Sequence, residues 1–136
     1  MVTAYDVEAN KLIDAVAEKL KSAIKKPDFV DLVKSGPHVQ RPPEQEDFFF
    51  KRAASILRKS YLYGVLGVNR LRRAYGGRKN RGLRPEHKVK AGGKIIREAF
   101  KELEKAGLLE KVENGRRITP KGVALLDNTA KEVANV

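Results

Sequence analysis

The residues of this 136-residue sequence that could carry chemistry are its cations, and they are concentrated in one block. Residues 51–97 carry fifteen Lys and Arg against a single acidic residue, Glu86, whereas residues 1–50 carry seven against nine and residues 98–136 carry seven against seven. A block this one-sided repels itself and lowers the stability of the fold unless an anion neutralises it. We therefore expect a polyanionic partner, with nucleic acid as the first candidate and an anionic membrane surface as the second.

Catalytic and metal-binding patterns are missing from the sequence. It contains no Cys, so neither a disulfide framework nor a thiolate metal site can form, and its two histidines, His38 and His87, do not suffice for a zinc site. Glu102 and Glu104 are two apart on a predicted helix and point to different sides. The glycine pattern fits neither a phosphate-binding loop nor a dinucleotide fingerprint. We expect no enzymatic activity, no cofactor and no metal.

The sequence also bears on location. Its N-terminus, MVTAYDVEANK, lacks the basic-then-apolar pattern of a signal peptide, and no apolar run approaches the length of a membrane span. The cations are spread over two predicted helices and a Gly-rich loop and do not form one amphipathic stripe, which disfavours membrane binding. We expect a cytoplasmic protein with no membrane partner.

The cations are positioned by one amphipathic helix, predicted over residues 46–64. At 100° per residue, one side of this helix carries an apolar arc: Phe49, Phe50, Ala53, Ala54, Ile56, Leu57 and Tyr61. The opposite side carries Lys51, Arg52, Ser55, Arg58 and Lys59. We predict a helix of about four turns that is buried along its apolar arc.

The other predicted elements flank this central helix. Before it, hydrophobic spacing predicts a helix over 7–24 with Asp6 as N-cap, a short helix over 28–34 and an extended connection over 38–45. After it, we predict a helix over 65–75, a basic loop over 76–93 and a helix over 94–106. Strands follow over 108–112 and 117–119, joined by Asn114-Gly115. A last helix opens at Pro120 with Thr119 as its cap.

From residue 48 onward this order of elements is that of a winged helix. We predict an all-α protein with a small β-hairpin, a winged-helix-like helical bundle around the central amphipathic helix. Residues 1–136 would form one domain, with 1–45 as an N-terminal helical scaffold and 46–133 as the winged-helix-like core. The basic loop over 76–93 has only Leu83 and Val89 to bury, so we expect it to be irregular and mobile.

Two nucleic-acid partners are compatible with a winged helix. The helix over 94–106 is cationic only in its first turn, at Lys94 and Arg97, and contains no Asn or Gln to read base edges. A flexible Gly/Arg loop suits irregular folded RNA better, because it can order along phosphates on binding. A dimeric winged-helix transcription regulator that binds duplex DNA is the alternative.

Six sequence blocks carry a family resemblance. They are PDFVDLVK (27–34), FFFKRAAS (48–55), YLYG (61–64), YGGR (75–78), RGLRPEH (81–87) and ITPKG (118–122). In this order they resemble the small-subunit ribosomal protein nineteen family of archaea and eukaryotes over nearly the full chain, in an archaeal form. Phe29 and Phe48 stand where the family often has Trp. The resemblance implies a winged-helix-like core that contacts ribosomal RNA in the head of the small ribosomal subunit and is needed for subunit maturation.

The resemblance also implies which residues contact RNA. It places the RNA face on the polar side of the central helix and on residues 75–94, in agreement with the charge distribution. Because a planar guanidinium can grip a phosphate or base edge with two donors, Arg ranks before Lys. The first rank is Arg52, Arg58, Arg78, Arg81 and Arg84. The second rank is Lys51, Lys59, Arg72, Arg73, Lys79, Lys88, Lys90, Lys94 and Arg97, with Ser55 beside them.

Some roles stay open at this point. His87 either contacts RNA or makes a local hydrogen bond that shapes its turn. Tyr63 and Tyr75 are candidates for stacking on bases, whereas Tyr61 belongs to the apolar arc. Replacing Arg52 and Arg58 with Glu is expected to abolish incorporation into the subunit while leaving the fold and its melting nearly unchanged. The implied partners are small-subunit ribosomal RNA and neighbouring ribosomal proteins on the cytoplasmic ribosome, and the free protein is expected to be a monomer.

Overall fold

A computed structural model describes residues 2–31, 34–37, 39 and 47–134 of the chain. In chain order, the described helices are a 3-10 helix Ala4–Asp6, α1 Ala9–Ala23, a 3-10 helix Asp28–Asp31, α2 Phe48–Tyr63, α3 Val68–Tyr75, α4 Gly93–Lys105 and α5 Pro120–Ala134. The strands are β1 Gly77–Arg81, β2 Arg84–Val89, β3 Leu109–Val112 and β4 Gly115–Ile118. They form two antiparallel hairpins, β1–β2 and β3–β4. Among the described helices, none has the length and apolar character that crossing a bilayer requires.

Helix α2 lies at the centre of the molecule. It packs against α1, α4 and α5, and α3 packs against α4. The predicted apolar arc is confirmed, because Phe49, Ile56 and Leu57 are completely buried while Phe50 and Tyr61 pack partly buried against the same cluster. The neighbouring helices contribute further buried side chains, which include Leu12, Val16, Leu20, Ile96, Phe100, Leu103 and Leu126. Each large side chain contributes roughly 1.5–3 kcal/mol of burial free energy, so this cluster fixes the orientation of α2.

The β3–β4 hairpin is the predicted wing. Its register pairs Leu109 with Ile118 and Val112 with Gly115. Leu66, in the segment between α2 and α3, pairs with Arg116 on the outer side of β4, through N–H···O bonds of 3.0 and 2.8 Å. The wing therefore joins α2, α3 and α4 into one unit, and the predicted winged-helix-like fold is confirmed.

The last two helices follow the prediction closely. Helix α4 begins and ends within one residue of the predicted bounds, and its apolar stripe is buried. Helix α5 begins at Pro120, and the Thr119 hydroxyl accepts a hydrogen bond from the Gly122 N–H at 3.3 Å. The same hydroxyl donates to the Gly107 carbonyl at 2.6 Å, so the cap also anchors the turn after α4.

The prediction of an irregular loop over 76–93 is wrong, because the segment contains the paired strands β1 and β2. Gly82, at φ +73°, opens a two-residue turn between Arg81 and Arg84, and its N–H donates to the Asn80 side-chain oxygen at 2.9 Å. A glycine at the first turn position is typical of a type II′ hairpin. The hairpin was missed because both of its strands are polar, so no alternation of apolar and polar residues marks them.

Several predicted boundaries also differ. Helix α1 begins at Ala9, because Asp6 belongs to the preceding 3-10 helix, where its carboxylate accepts the Thr3 N–H at 2.8 Å. The short helix predicted over 28–34 is a 3-10 helix, Asp28–Asp31, and residues 32–33 lie outside the described residues. So does the predicted connection over 38–45, except residue 39. Helix α3 begins at Val68, three residues later than predicted, because Leu66 pairs with Arg116 of the wing.

The wing turn is also displaced by one residue from the prediction. Val112 pairs with Gly115, so Glu113 and Asn114 form the loop and Gly115 begins β4. Gly115 has φ +147°, and a Cβ built there would lie 2.4 Å from the Leu66 carbonyl oxygen. A side chain at this position would therefore force Leu66 and β4 apart.

We expect Gly115→Ala to lower the free energy of unfolding by about 3 kcal/mol, through combined backbone strain and collision with the Leu66 carbonyl. Gly82→Ala is the matched control, because Gly82 has a positive φ but an added Cβ would have nothing within 4 Å. It should cost only about 1 kcal/mol. Urea unfolding followed by circular dichroism measures both changes. Equal losses in the two variants would mean that the Leu66 pairing does not restrict position 115.

Candidate nucleic-acid interface

Arg52 on α2 lies between two aromatic rings. Its guanidinium carbon is 3.9 Å from the ring centroid of Tyr75 at the end of α3 and 5.2 Å from that of Phe48 one turn earlier on α2. Burial lowers the pKa of the Arg52 guanidinium, an effect that Tyr75 partly opposes. An arginine begins from a pKa high enough to stay charged at neutral pH. The contact therefore places a permanent cation against two ring faces, where their electron density attracts it.

Tyr75 is also held by a hydroxyl from α2. The Ser55 hydroxyl and the Tyr75 phenol oxygen are joined by a hydrogen bond of 2.6 Å. Burial raises the pKa of the Tyr75 phenol, although Ser55 and Arg52 act in the opposite direction. The phenol is therefore neutral at physiological pH, and the contact between α2 and α3 does not depend on pH near neutrality. Ser55 thus positions the ring that holds Arg52.

The alternation of rings and cations continues towards the end of α2. Lys59 Nζ lies 5.6 Å from the Tyr75 centroid and 6.0 Å from that of Tyr63, and the Arg70 guanidinium lies 5.7 Å from the Tyr63 ring. The order along this surface is Phe48, Arg52, Tyr75, Lys59, Tyr63 and Arg70, which we call the ring–cation ladder. Arg70 and Phe48 were not among the sequence-predicted site residues. The four-residue spacing of Phe48 and Arg52 on one helix could have indicated the first contact. The contact of Arg70 with Tyr63 joins two helices and has no such local signal.

The β1–β2 hairpin places two cations, Arg78 and Lys88, directly opposite each other. Its register pairs Arg78 with Lys88, Lys79 with His87 and Arg81 with Arg84, with an irregularity after Lys79. Directly opposed residues of an antiparallel pair share one face, and like charges in that position destabilise it by roughly 0.2–1 kcal/mol. The side chains at 78, 79, 84, 87 and 88 are exposed. The hairpin therefore presents a concentrated positive charge to solvent.

The base of this hairpin is fixed to α3. The Arg72 side chain donates from Nε to the Ala91 carbonyl at 2.8 Å, and the Ala91 N–H donates to the Arg72 carbonyl at 2.9 Å. Arg72, a predicted interface residue, therefore has a structural role in holding the hairpin. Because β1 begins two residues after Tyr75, these bonds place the hairpin next to Tyr75 of the ring–cation ladder.

Other predicted site residues are directed elsewhere. Lys51 lies 3.5 Å from carboxylate oxygens of both Asp14 and Asp47, so it is engaged with the acidic N-terminal third. Lys94 Nζ lies 4.2 Å above the Phe29 ring. Arg58 is partly buried, and its Nε has no hydrogen-bond partner among the described residues. These three cations do not join the ladder or the hairpin.

The remaining cations are exposed. Arg73 follows Arg72 on α3, Lys90 follows the hairpin, and Arg97 lies on the first turns of α4. Together with the ladder and the hairpin they extend the positive surface on both sides of α3. Within the described residues, no group of three acidic or histidine side chains could hold a metal ion.

Helix α4 offers little to a DNA groove. The Glu102 carboxylate accepts the Lys25 N–H at 3.3 Å, and Glu104 pairs with Arg116 of the wing. The Gly92 N–H, just before the helix, donates to the Ser35 carbonyl at 2.8 Å. Polar side chains of α4 therefore contact other parts of the protein, whereas a helix that reads base edges presents them to the DNA groove.

Comparison with known proteins identifies the family of this chain. The ribosomal protein S19e family matches residues 3–136. Similar proteins include the small ribosomal subunit protein eS19 of Aeropyrum pernix, 48% identical over 98% of this chain and 90% of its own length, and that of Haloarcula marismortui, 46% identical over 98% and 92%. The eS19 protein of Emericella nidulans is 45% identical over 96% of this chain and 90% of its own. The chain belongs to the ribosomal protein S19e family.

Proposed function

We propose that this protein is a structural constituent of the small ribosomal subunit that binds ribosomal RNA in the subunit head and supports subunit assembly. The family relationship supports the coarser role of a small-subunit ribosomal protein on the cytoplasmic ribosome. Membership in a ribosomal-protein family also confirms the expectation that the chain is not an enzyme. The RNA contacts, the position in the head and the neighbouring ribosomal proteins belong to the proposal.

The β1–β2 hairpin is the observation that carries RNA binding. Arg78 faces Lys88 across the two strands, and like charges directly opposite each other destabilise an antiparallel pair. A phosphate placed between two such cations converts their repulsion into attraction and releases condensed counterions. Arg can hold two phosphate oxygens at once, which fixes the orientation of the backbone as well as its distance.

The α2–α3 surface supplies the rigid part of the interface. Arg52 and Ser55 fix Tyr75, and Arg72 fixes the base of the hairpin to the same helix. The cations are therefore mounted on packed helices on one side and on a polar hairpin on the other. Folded RNA, with phosphates at irregular positions, fits such a surface better than a regular groove does.

The first test of this function uses variants of the β1–β2 hairpin. With about eight neutralised phosphates, the plot of log affinity against log salt should have a slope of roughly −6 on a transcript of the small-subunit head RNA. The double variant Arg84→Glu/Lys88→Glu should bind at least about tenfold more weakly and reduce the slope by about 2, one unit for each lost phosphate contact. Filter binding at several salt concentrations measures both quantities.

The matched control has the same charge change outside the basic block. Lys111 on the wing and Lys131 on α5 are exposed, so Lys111→Glu/Lys131→Glu alters net charge equally without touching the proposed interface. It should keep most of the wild-type affinity and slope. If both double variants lose affinity equally, net charge and not the hairpin governs binding.

Arg52 provides a second test, because its contacts give it a structural part in the interface. Arg52→Ala should lower the free energy of unfolding by about 1–2 kcal/mol through loss of both ring contacts and of stem packing. Arg73→Ala, on the exposed side of α3, should change it by less than about 0.5 kcal/mol. Urea denaturation measures the difference. Equal stability of the two variants would show that Arg52 is free for RNA, as the sequence alone suggested.

The DNA-binding alternative differs in assembly state. A winged-helix regulator of a palindromic site is a homodimer, whereas the proposed ribosomal role requires one copy per subunit. We expect light scattering after gel filtration to give the mass of a monomer, and competition to favour folded RNA over duplex DNA of equal length. A stable dimer that prefers duplex DNA would contradict the ribosomal-RNA proposal.

A further inference from the structure

The ring–cation ladder has an exposed end at Tyr63 and Arg70 and a partly buried end at Phe48 and Arg52. Tyr63, on the last turn of α2, leaves 58% of its surface exposed, and the nearby Val65 leaves 38%. Lys59 and Arg70 approach the Tyr63 ring to 6.0 and 5.7 Å from two different helices. Tyr63 is the last residue of α2, and the chain leaves the helix at Gly64, whose φ is +82°. The result is an exposed aromatic surface between two cations.

Tyr5 shows that this environment is specific to Tyr63. Tyr5 is 65% exposed, a similar fraction, but it packs against Tyr61 with ring centroids 5.3 Å apart. It lies beside Asp6 in the acidic N-terminal third, and the ring contacts of the described residues place no cation over it. Two tyrosines of similar exposure therefore face different charges, and only Tyr63 lies in the basic block.

We propose that Tyr63 is a stacking platform for an unpaired RNA base, with Lys59 and Arg70 contacting the adjoining phosphates. The inference rests on the proposed function and adds a base-contacting residue to a surface otherwise made of phosphate contacts. A nucleobase stacked on Tyr63 would add one more planar group to the exposed end of the ladder. Stacking on an aromatic side chain tolerates any base, because every base has a π-face.

The charge around Tyr63 favours RNA over a protein partner. Residues 51–85 contain no Asp or Glu, so a protein placed on this surface would have to bring its own acidic groups. A nucleotide brings both components, a planar apolar base for the ring and a phosphate for the cations. An unpaired base is required because the faces of paired bases in a helix are already stacked on their neighbours.

The test compares a ligand that has bases with one that lacks them. The probes are an oligoadenylate of about twelve nucleotides and inorganic polyphosphate of matched charge. Tyr63→Leu should weaken oligoadenylate binding by at least about fivefold and leave polyphosphate binding unchanged. Tyr63→Phe, which keeps the ring, should retain wild-type affinity for both, and Tyr5→Leu is the control at the other exposed tyrosine. Circular dichroism verifies that each variant is folded.

A spectroscopic readout accompanies the affinities. The chain has four tyrosines and no tryptophan, so a base stacked on a ring should quench tyrosine emission directly. The quenching by oligoadenylate should be smaller in Tyr63→Leu than in Tyr5→Leu. Equal oligoadenylate affinity in wild type and Tyr63→Leu would overturn the platform while leaving phosphate binding intact. Failure of the wild-type protein to bind either probe would overturn the platform and the proposed function together.

Discussion

Repulsion between cations is the constraint that shapes the middle third of this chain. Fifteen Lys and Arg share residues 51–97 with one acidic residue, so ion pairing within the block cannot neutralise them. The ring–cation ladder provides a different form of compensation. Each cation in it contacts an aromatic face whose electron density attracts positive charge, at about 0.5–2 kcal/mol per contact depending on exposure. Aromatic rings lie between Arg52, Lys59 and Arg70 and reduce the repulsion that carboxylates would otherwise have to neutralise.

This form of compensation has a consequence for binding. A carboxylate paired with Arg52 or Lys59 would compete with a phosphate and weaken the field felt by an approaching polyanion. An aromatic ring stabilises the cation without cancelling its charge. The acidic residues are used elsewhere, where Lys19 pairs with Glu132 and Arg116 with Glu104. The two ends of the chain are thus neutralised locally, and the positive potential of the middle block remains available.

The limits of sequence-based prediction follow from the kinds of contact involved. Helices α2, α4 and α5 were predictable because each carries an apolar stripe at helical spacing or a local cap such as Thr119-Pro120. The β1–β2 hairpin was not, since polar strands carry no alternation and its turn depends on Gly82 alone. Boundary errors near Asp6 and Val65 arose from local contacts, one with Thr3 and the other with the wing.

The candidate site shows a similar division. Charge counting located the basic block, including the segment that forms the hairpin, but it could not separate cations that contact solvent from cations that hold the protein together. Arg52, Arg72 and Lys51 look alike in sequence, yet one lies between rings, one binds the Ala91 carbonyl and one joins the acids of the N-terminal third. That separation depends on residues far apart in the chain, such as Tyr75 for Arg52 and Asp14 for Lys51, and helical periodicity contains no information about them.

The two parts of the surface also differ in how they are stabilised. The ladder is mounted on helices whose buried sides belong to the main core, so its geometry exists before any partner arrives. The hairpin has backbone pairing and a tether at Ala91, but its opposed cations reduce its stability. A polyanion that contacted both parts would therefore change the stability of the hairpin alone. In the proposed function the ladder would set where RNA is placed, and the hairpin would be stabilised as its repulsion is neutralised, because binding energy and local stability are linked at the same side chains.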